Sequence, residues 1–240
     1  MSMNQYVPWK SISTEADRIA YDEALRKFML QVYNNMSIAL AISGLVALGL
    51  NFNQTLMTAI WGTSFKWIAI FSPLLASLAF TFFFDKMNSR TAQMALFAFA
   101  ALMGLSLSSI FLIFKMGSIA QVFFISAATF GTASLYGYTT KKDLTSFGSF
   151  LIMGALGLVI AGVVNVFLQS SMFAFVISCI AVLIFTGLTA YDTQQLKTTY
   201  DYTEGEDREK AGVFGALQLY LDFINIFVNL LQLIGDRKND

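Results

Sequence analysis

The chain has 240 residues, of which 56% are hydrophobic and 12% charged. A soluble domain carries roughly 25% charged residues, so the composition is that of a membrane protein. The formal net charge of zero offers nothing to a nucleic acid, the single cysteine (Cys179) excludes an intrachain disulfide, and the absence of histidine excludes His-based zinc sites, Ser-His-Asp triads and imidazole pH switches.

Residues 1–27 are polar and mixed in charge, and no short basic region leads into an apolar core there, so they are expected to be a cytoplasmic amino-terminal segment without a cleavable signal. Thr14-Glu15-Ala16-Asp17 has the spacing of a capping box. It predicts a helix running through Arg26 and Lys27 toward the first span. Seven apolar runs are long enough to cross ~30 Å of hydrocarbon: Met36–Leu50 with its polar-flanked turns, Trp67–Phe84, Ala92–Phe114, Ile119–Tyr138, Phe150–Leu168, Met172–Tyr191 and Gly212–Ile234. The expected fold is an all-α membrane protein, a seven-transmembrane helix bundle. Residues 28–235 form its single domain, and 236–240 a short carboxyl-terminal tail.

Pro73 is expected to kink the second span. Gly104, Ser106, Ser108, Ser109, Gly154, Gly157 and Gly187 are expected to let helices approach closely. The one long connection, Asp192–Ala211, reads as a solvated loop. Its acids Asp201, Glu204, Glu206, Asp207 and Glu209 lack the Asp/Asn spacing of an EF-hand. With the amino terminus inside, 11 basic residues fall on the inner side (Lys10, Arg18, Arg26, Lys27, Lys86, Arg90, Lys141, Lys142, Lys197, Arg208, Lys210) and 4 on the outer (Lys66, Lys115, Arg237, Lys238). The positive-inside rule then places the amino terminus in the cytoplasm and the carboxyl terminus outside.

Asp222 stands alone within the apolar run Ala216–Ile234. A carboxylate at membrane depth marks a functional site by default. At ~100° per residue it shares one helical stripe with Gly215, Gln218, Asn225, Asn229 and Gln232. This face must meet protein or water. A second acid, Asp192, follows Tyr191 at the inner end of the sixth span. None of the seven runs contains Lys or Arg. If Asp192 and Asp222 meet, both cannot ionise cheaply: they share a proton or take up a hard cation such as Ca²⁺. Counting ~1.5 Å per residue from the outer ends sets Asp192 roughly 30 Å deep and Asp222 roughly 18 Å deep, which does not level them.

The segments Gly104-Leu-Ser-Leu-Ser-Ser-Ile-Phe111, Ser134-Leu-Tyr-Gly-Tyr-Thr-Thr-Lys-Lys-Asp143, Gly187-Leu-Thr-Ala-Tyr-Asp-Thr-Gln194 and Leu219-Tyr-Leu-Asp-Phe-Ile-Asn225 resemble the Bax inhibitor-1 family, in its bacterial inner-membrane branch. The resemblance runs from about Arg26 to Arg237. It implies a bundle whose last helix is central and wrapped by the other six. It also implies a pH-sensitive calcium leak and a pairing of the acids that match Asp192 and Asp222. A membrane-bound quality-control protease is implied as a partner. The resemblance further implies an arginine of the second span that latches the acid pair. Trp67–Phe84 has no Arg or Lys, a departure from that pattern.

The expected function is therefore a cation leak, with Ca²⁺ as permeant ion and no resident cofactor. Asp192 and Asp222 are its pH sensor and candidate Ca²⁺ contacts, and Gln218, Asn225 and Asn229 the supporting stripe. The alternative is a non-transporting regulator of a membrane-bound protease. An intramembrane aspartyl protease fits poorly. Asp222 follows Leu219-Tyr220-Leu221 rather than Gly-x-Gly, and with Pro8 and Pro73 the only prolines no Pro-Ala-Leu element follows. The chain is expected not to be an enzyme. A proton-coupled transporter ranks low, since no clear inverted repeat is visible.

Overall fold

Thr14 starts the first helix as its sequence predicts. Its side chain accepts from the Asp17 N–H, and the Asp17 carboxylate accepts from the Thr14 N–H, a complete capping box. The computed structural model describes residues 14–238. The first thirteen residues of the expected cytoplasmic segment, Lys10 among them, and the last two of the tail lie outside the described residues.

From Thr14 the chain forms α1 (Glu15–Phe52), α2 (Gln54–Trp61), α3 (Phe65–Phe83), a 3-10 turn (Phe84–Lys86), α4 (Ser89–Leu107), α5 (Ile110–Ile113), α6 (Met116–Thr139), α7 (Thr145–Leu168), α8 (Ser171–Tyr202) and α9 (Gly205–Ile234). Among the described residues there is no strand beyond an isolated bridge between Phe114 and Arg237. Among the described residues seven helical segments are long and apolar enough to cross a membrane: α1, α3 with its 3-10 turn, α4 with α5, α6, α7, α8 and α9.

Local chemistry explains the boundaries. Asn53, Asn88 and Ser170 cap α2, α4 and α8 through side-chain oxygens that accept from Leu56, Thr91 and Phe173 N–H groups. Pro73 sits inside α3 and cannot bond Ala69 O; the Ser72 hydroxyl reaches that carbonyl at 3.4 Å. The third span is not continuous. It breaks at Ser108–Ser109, whose hydroxyls turn back to the carbonyls of Leu105 and Ser106.

The expected loop Asp192–Ala211 is almost wholly helical, which corrects the sequence reading. α8 continues to Tyr202 and α9 begins at Gly205, leaving Thr203 and Glu204 as the connection. Gly205 takes φ +53°, a left-handed geometry that a glycine adopts freely. Glu206 and Asp207 lie in the first turn of α9, where the helix dipole favours acids. Arg208 donates to the carbonyls of Tyr200 and Thr203 and lies over the Tyr200 ring, so it closes the end of α8. Polar composition suggested a loop, but helices of 30–38 residues outrun the bilayer and carry polar turns beyond it. There they join: Tyr21 donates to Asp201 and Phe28 packs on Tyr200.

α9 is the most buried of the seven. Inside lies 67% of its most apolar window, against 6% for α7 and 17% for α3. α1, α4, α6 and α8 pack directly on it, while α3 leans chiefly on α4, and α7 on α8. The wrapping is thus mainly by four helices, with two at the periphery. Without a hydrophobic force between helices in lipid, close fit does the holding. A Cβ on Gly104 would lie 2.6 Å from Ser43 O, and one on Gly154 or Gly187 would strike Ile184 or Leu151; Gly157 meets nothing within 4 Å. The opposite end of the bundle is tied by Lys115 N–H to Asp236 O and Lys238 N–H to Ile113 O.

Candidate functional site

α8 and α9 run antiparallel, and their register decides the site. Gly215 is pressed against Leu196: a Cβ there would lie 2.1 Å from Leu196 Cδ2. Asp222 is seven residues further along α9, and Asp192 four residues back along α8. With ~1.5 Å of rise per residue the acids come level to within about 5 Å. Their carboxyl groups are within hydrogen-bonding reach of each other. The depth count from the outer ends fails because it assumes flush ends. α9 is set inward along α8 by roughly two turns.

Asp222 is buried, 4% exposed, and Asp192 is half-buried. Among the described residues no N–H or O–H reaches Asp222 Oδ2, and no Lys or Arg comes within 4 Å of either carboxylate. Two charges 4 Å apart repel by about 4 kcal/mol even at an effective dielectric of 20. Two ionised carboxylates in contact are therefore unfavourable unless a proton or a cation lies between them. Among the described residues no third Asp, Glu or Cys joins the pair.

The residues around Asp192 each have other work. Gly187 admits Leu151, and Gly148 admits the Tyr191 ring, which a Cβ would meet at 2.3 Å. Thr189 bonds its own helix at Phe185 O. Thr193, fully buried, lies 3.0 Å from the Ser134 hydroxyl, and that in turn 2.5 Å from Tyr33 OH, a chain of hydroxyls joining α8, α6 and α1. Gln194 accepts from Leu144 N–H and donates to Lys142 O, which pins the α6–α7 connection. Asp192, by contrast, interacts with Asp222 of α9.

On α9, Gly215 and Asp222 are buried, Gln218, Asn225 and Asn229 half-buried, and Gln232 exposed. The amides of Asn225 and Asn229 donate back to Leu221 O and Asn225 O of their own helix. Their side-chain oxygens keep their acceptor capacity. The far face of α9 is anchored by Tyr220, whose hydroxyl lies 2.7 Å from Ser43 Oγ; the Ser43 hydroxyl is also within hydrogen-bond distance of Ala39 O and Ala100 O. Ser43, Tyr220 and Gln194 were not singled out from sequence. The only signal for Ser43 was a hydroxyl within an otherwise apolar stretch.

Comparison with known proteins matches residues 25–239 to the family model described as inhibitor of apoptosis-promoting Bax1. The chain is 38% identical to the inner membrane protein YbhL of Escherichia coli over 89% of its length and 93% of that relative. It is 43% identical to an uncharacterised protein of Rickettsia prowazekii over 96% of the chain and 98% of the relative. It is 41% identical to one of Caulobacter vibrioides over 98% and 100%. The four sequence blocks, the seven apolar helices and this match lead to one conclusion: the chain belongs to the Bax inhibitor-1 family.

Proposed function

We propose that this protein is a pH-sensitive cation leak of the bacterial inner membrane, with Ca²⁺ as the permeant ion, gated by protonation of Asp192 and Asp222. The observation that carries the reading is the contact of the buried Asp222 carboxyl with the half-buried Asp192 carboxyl, with no basic residue beside them. At low pH a shared proton holds α8 to α9. When it leaves, two negative charges face each other in a medium of low dielectric, the helices separate, and the site attracts cations. The oxygens of Gln218, Asn225 and Asn229 extend the path with ligands suited to a hard cation. No second-span arginine is needed, because the acid pair is itself the latch.

The inner membrane is supported by the relative YbhL, an inner membrane protein. The amino-terminal end of the bundle carries ten of the fourteen described Lys and Arg residues. By the positive-inside rule that end faces the cytoplasm.

The test is Ca²⁺ flux into liposomes at about pH 6 and pH 8. Flux through the wild type rises with pH, and Asp222→Asn changes that dependence. An Asp192→Asn/Asp222→Asn variant with unaltered pH-dependent flux would sink the mechanism. No flux above empty liposomes at either pH favours the other reading, a regulator of a membrane-bound quality-control protease, with Asp222 as a helix–helix tie.

A further inference from the structure

α1 and α6 are joined at the Tyr33–Ser134 hydroxyl contact but leave open space on both sides of it. On the basic side is a groove of about 480 Å³, within the ~300–1,000 Å³ usual for small-molecule sites. Its rim is Arg26, Leu30, Tyr33, Gly131, Leu135 and Tyr138, and its floor the buried Phe130 and Ser134. Leu30 and Leu135 are 55% and 63% exposed, so the walls open sideways to lipid.

Charge is confined to one end. Arg26 is exposed at the mouth and has no carboxylate within 4 Å among the described residues, although Asp22 lies one turn before it. The adjacent Lys27 is already held by Glu23 at 3.1 Å. Lys197 of α8 touches one residue of this lining, Tyr138: its Nζ donates to Tyr138 O at 2.8 Å and lies over the Tyr138 ring. An ammonium has three donors, so two remain. Lys141 and Lys142 follow a few residues after Tyr138. An exposed arginine at the mouth of an apolar trough, with Lys197 on its Tyr138 wall, matches an acyl chain ending in a phosphate. The second space along the seam, about 660 Å³ and lined by residues such as Leu40, Gly44 and Phe227, has no charged group on its walls.

We infer that the Arg26–Tyr138 groove is a binding site for an anionic phospholipid, its phosphate at Arg26 and Lys197 and one acyl chain along Leu30, Gly131 and Leu135. The site is independent of the acid pair, so the inference stands whether or not the protein conducts.

Native mass spectrometry of delipidated protein, with phosphatidylglycerol or phosphatidylcholine added back, tests it. The wild type retains several-fold more phosphatidylglycerol. Arg26→Gln lowers that retention to the phosphatidylcholine level. Gly131→Leu lowers retention of both lipids: a Cβ on Gly131 meets nothing within 4 Å, so leucine fills the groove without disturbing the fold. Gly44→Leu, which fills the uncharged space instead, leaves the preference for phosphatidylglycerol intact. Equal retention of the two lipids by the wild type, or undiminished phosphatidylglycerol on both Arg26→Gln and Gly131→Leu, overturns the inference. A melting curve checks that Gly131→Leu is folded, and Arg26→Gln, on an exposed residue, decides the matter if it is not.

Discussion

Gly137 of α6 lies directly on the backbone of Ala190 in α8: a Cβ added to it would stand 2.1 Å from Ala190 O. No rotamer change relieves a collision with a carbonyl, so the two helices would have to part. Ala190 is two residues from Asp192, and the placement of the acid depends on this contact. Gly137→Ala is expected to cost about 1–3 kcal/mol. A melting curve in detergent checks it. Gly157→Ala, with open space at its Cβ position, is the control and should melt at or above the wild-type temperature.

The acid pair predicts a stability that falls with pH. On the proposed reading one proton is shared by Asp192 and Asp222 at pH 6, and its loss by pH 8 would leave like charges in contact. Wild-type melting temperature should therefore drop between those values, by about 2–4 °C for each kcal/mol of repulsion. Asp192→Asn removes the like charge and keeps the shape but leaves Asp222 buried, so its melting temperature should fall less than the wild type's over the same range. Parallel curves for the two proteins would show that the pair does not titrate there.

Ser43 and Tyr220 form a buried hydroxyl contact in which the Ser43 hydroxyl also lies within reach of the Ala39 and Ala100 carbonyls. Ser43→Ala leaves the Tyr220 hydroxyl buried with one partner fewer, a loss of about 1–3 kcal/mol. Tyr220→Phe on the Ser43→Ala background should recover part of it. The double-mutant cycle measures the coupling, and strict additivity would show that the hydroxyls are independent.

At the α6–α7 connection, Gln194 holds Lys142 and Leu144 through their main-chain atoms. Gln194→Ala should raise hydrogen exchange across residues 142–148 while leaving the bundle's core protection unchanged.

In the same connection, hydrogen bonds donated by the Thr145 hydroxyl and N–H hold the exposed Asp143 carboxyl below its usual pKa. A carboxyl depressed in the folded state adds stability above its unfolded pKa, and that contribution is lost as pH falls through the folded value. Local exchange at the start of α7 should thus increase on strong acidification and not between pH 6 and 8. Asp143→Asn should abolish that acid step.

Much of the architecture was legible because it follows from short-range rules. The capping box at Thr14 and the seven apolar runs need only neighbouring residues to be understood. The stripe through Asp222 was equally local, since helical periodicity alone puts Gln218 and Asn225 beside it. The Asp192–Ala211 connection misled because charge was taken as a mark of loop. Those charges are solvated turns of helices that extend past the hydrocarbon, closed by Arg208 over Tyr200. Likewise the break at Ser108–Ser109 turned on where two hydroxyls bond, which residue type alone does not decide.

By itself the sequence determined that this is a helical membrane protein of seven spans with one acid at depth and no base in the runs to neutralise it. Hydrophobicity and helical period are properties of single segments, and the bilayer fixes how long each must be. Only the tertiary structure decided that Asp192 meets Asp222. That depends on the sliding register of α8 against α9, set by the bare backbone of Gly215 under Leu196, and on the seating of α8 against α6 by Gly137 on Ala190. Close packing of this kind is a relation between surfaces, and the surfaces exist only once the helices are assembled.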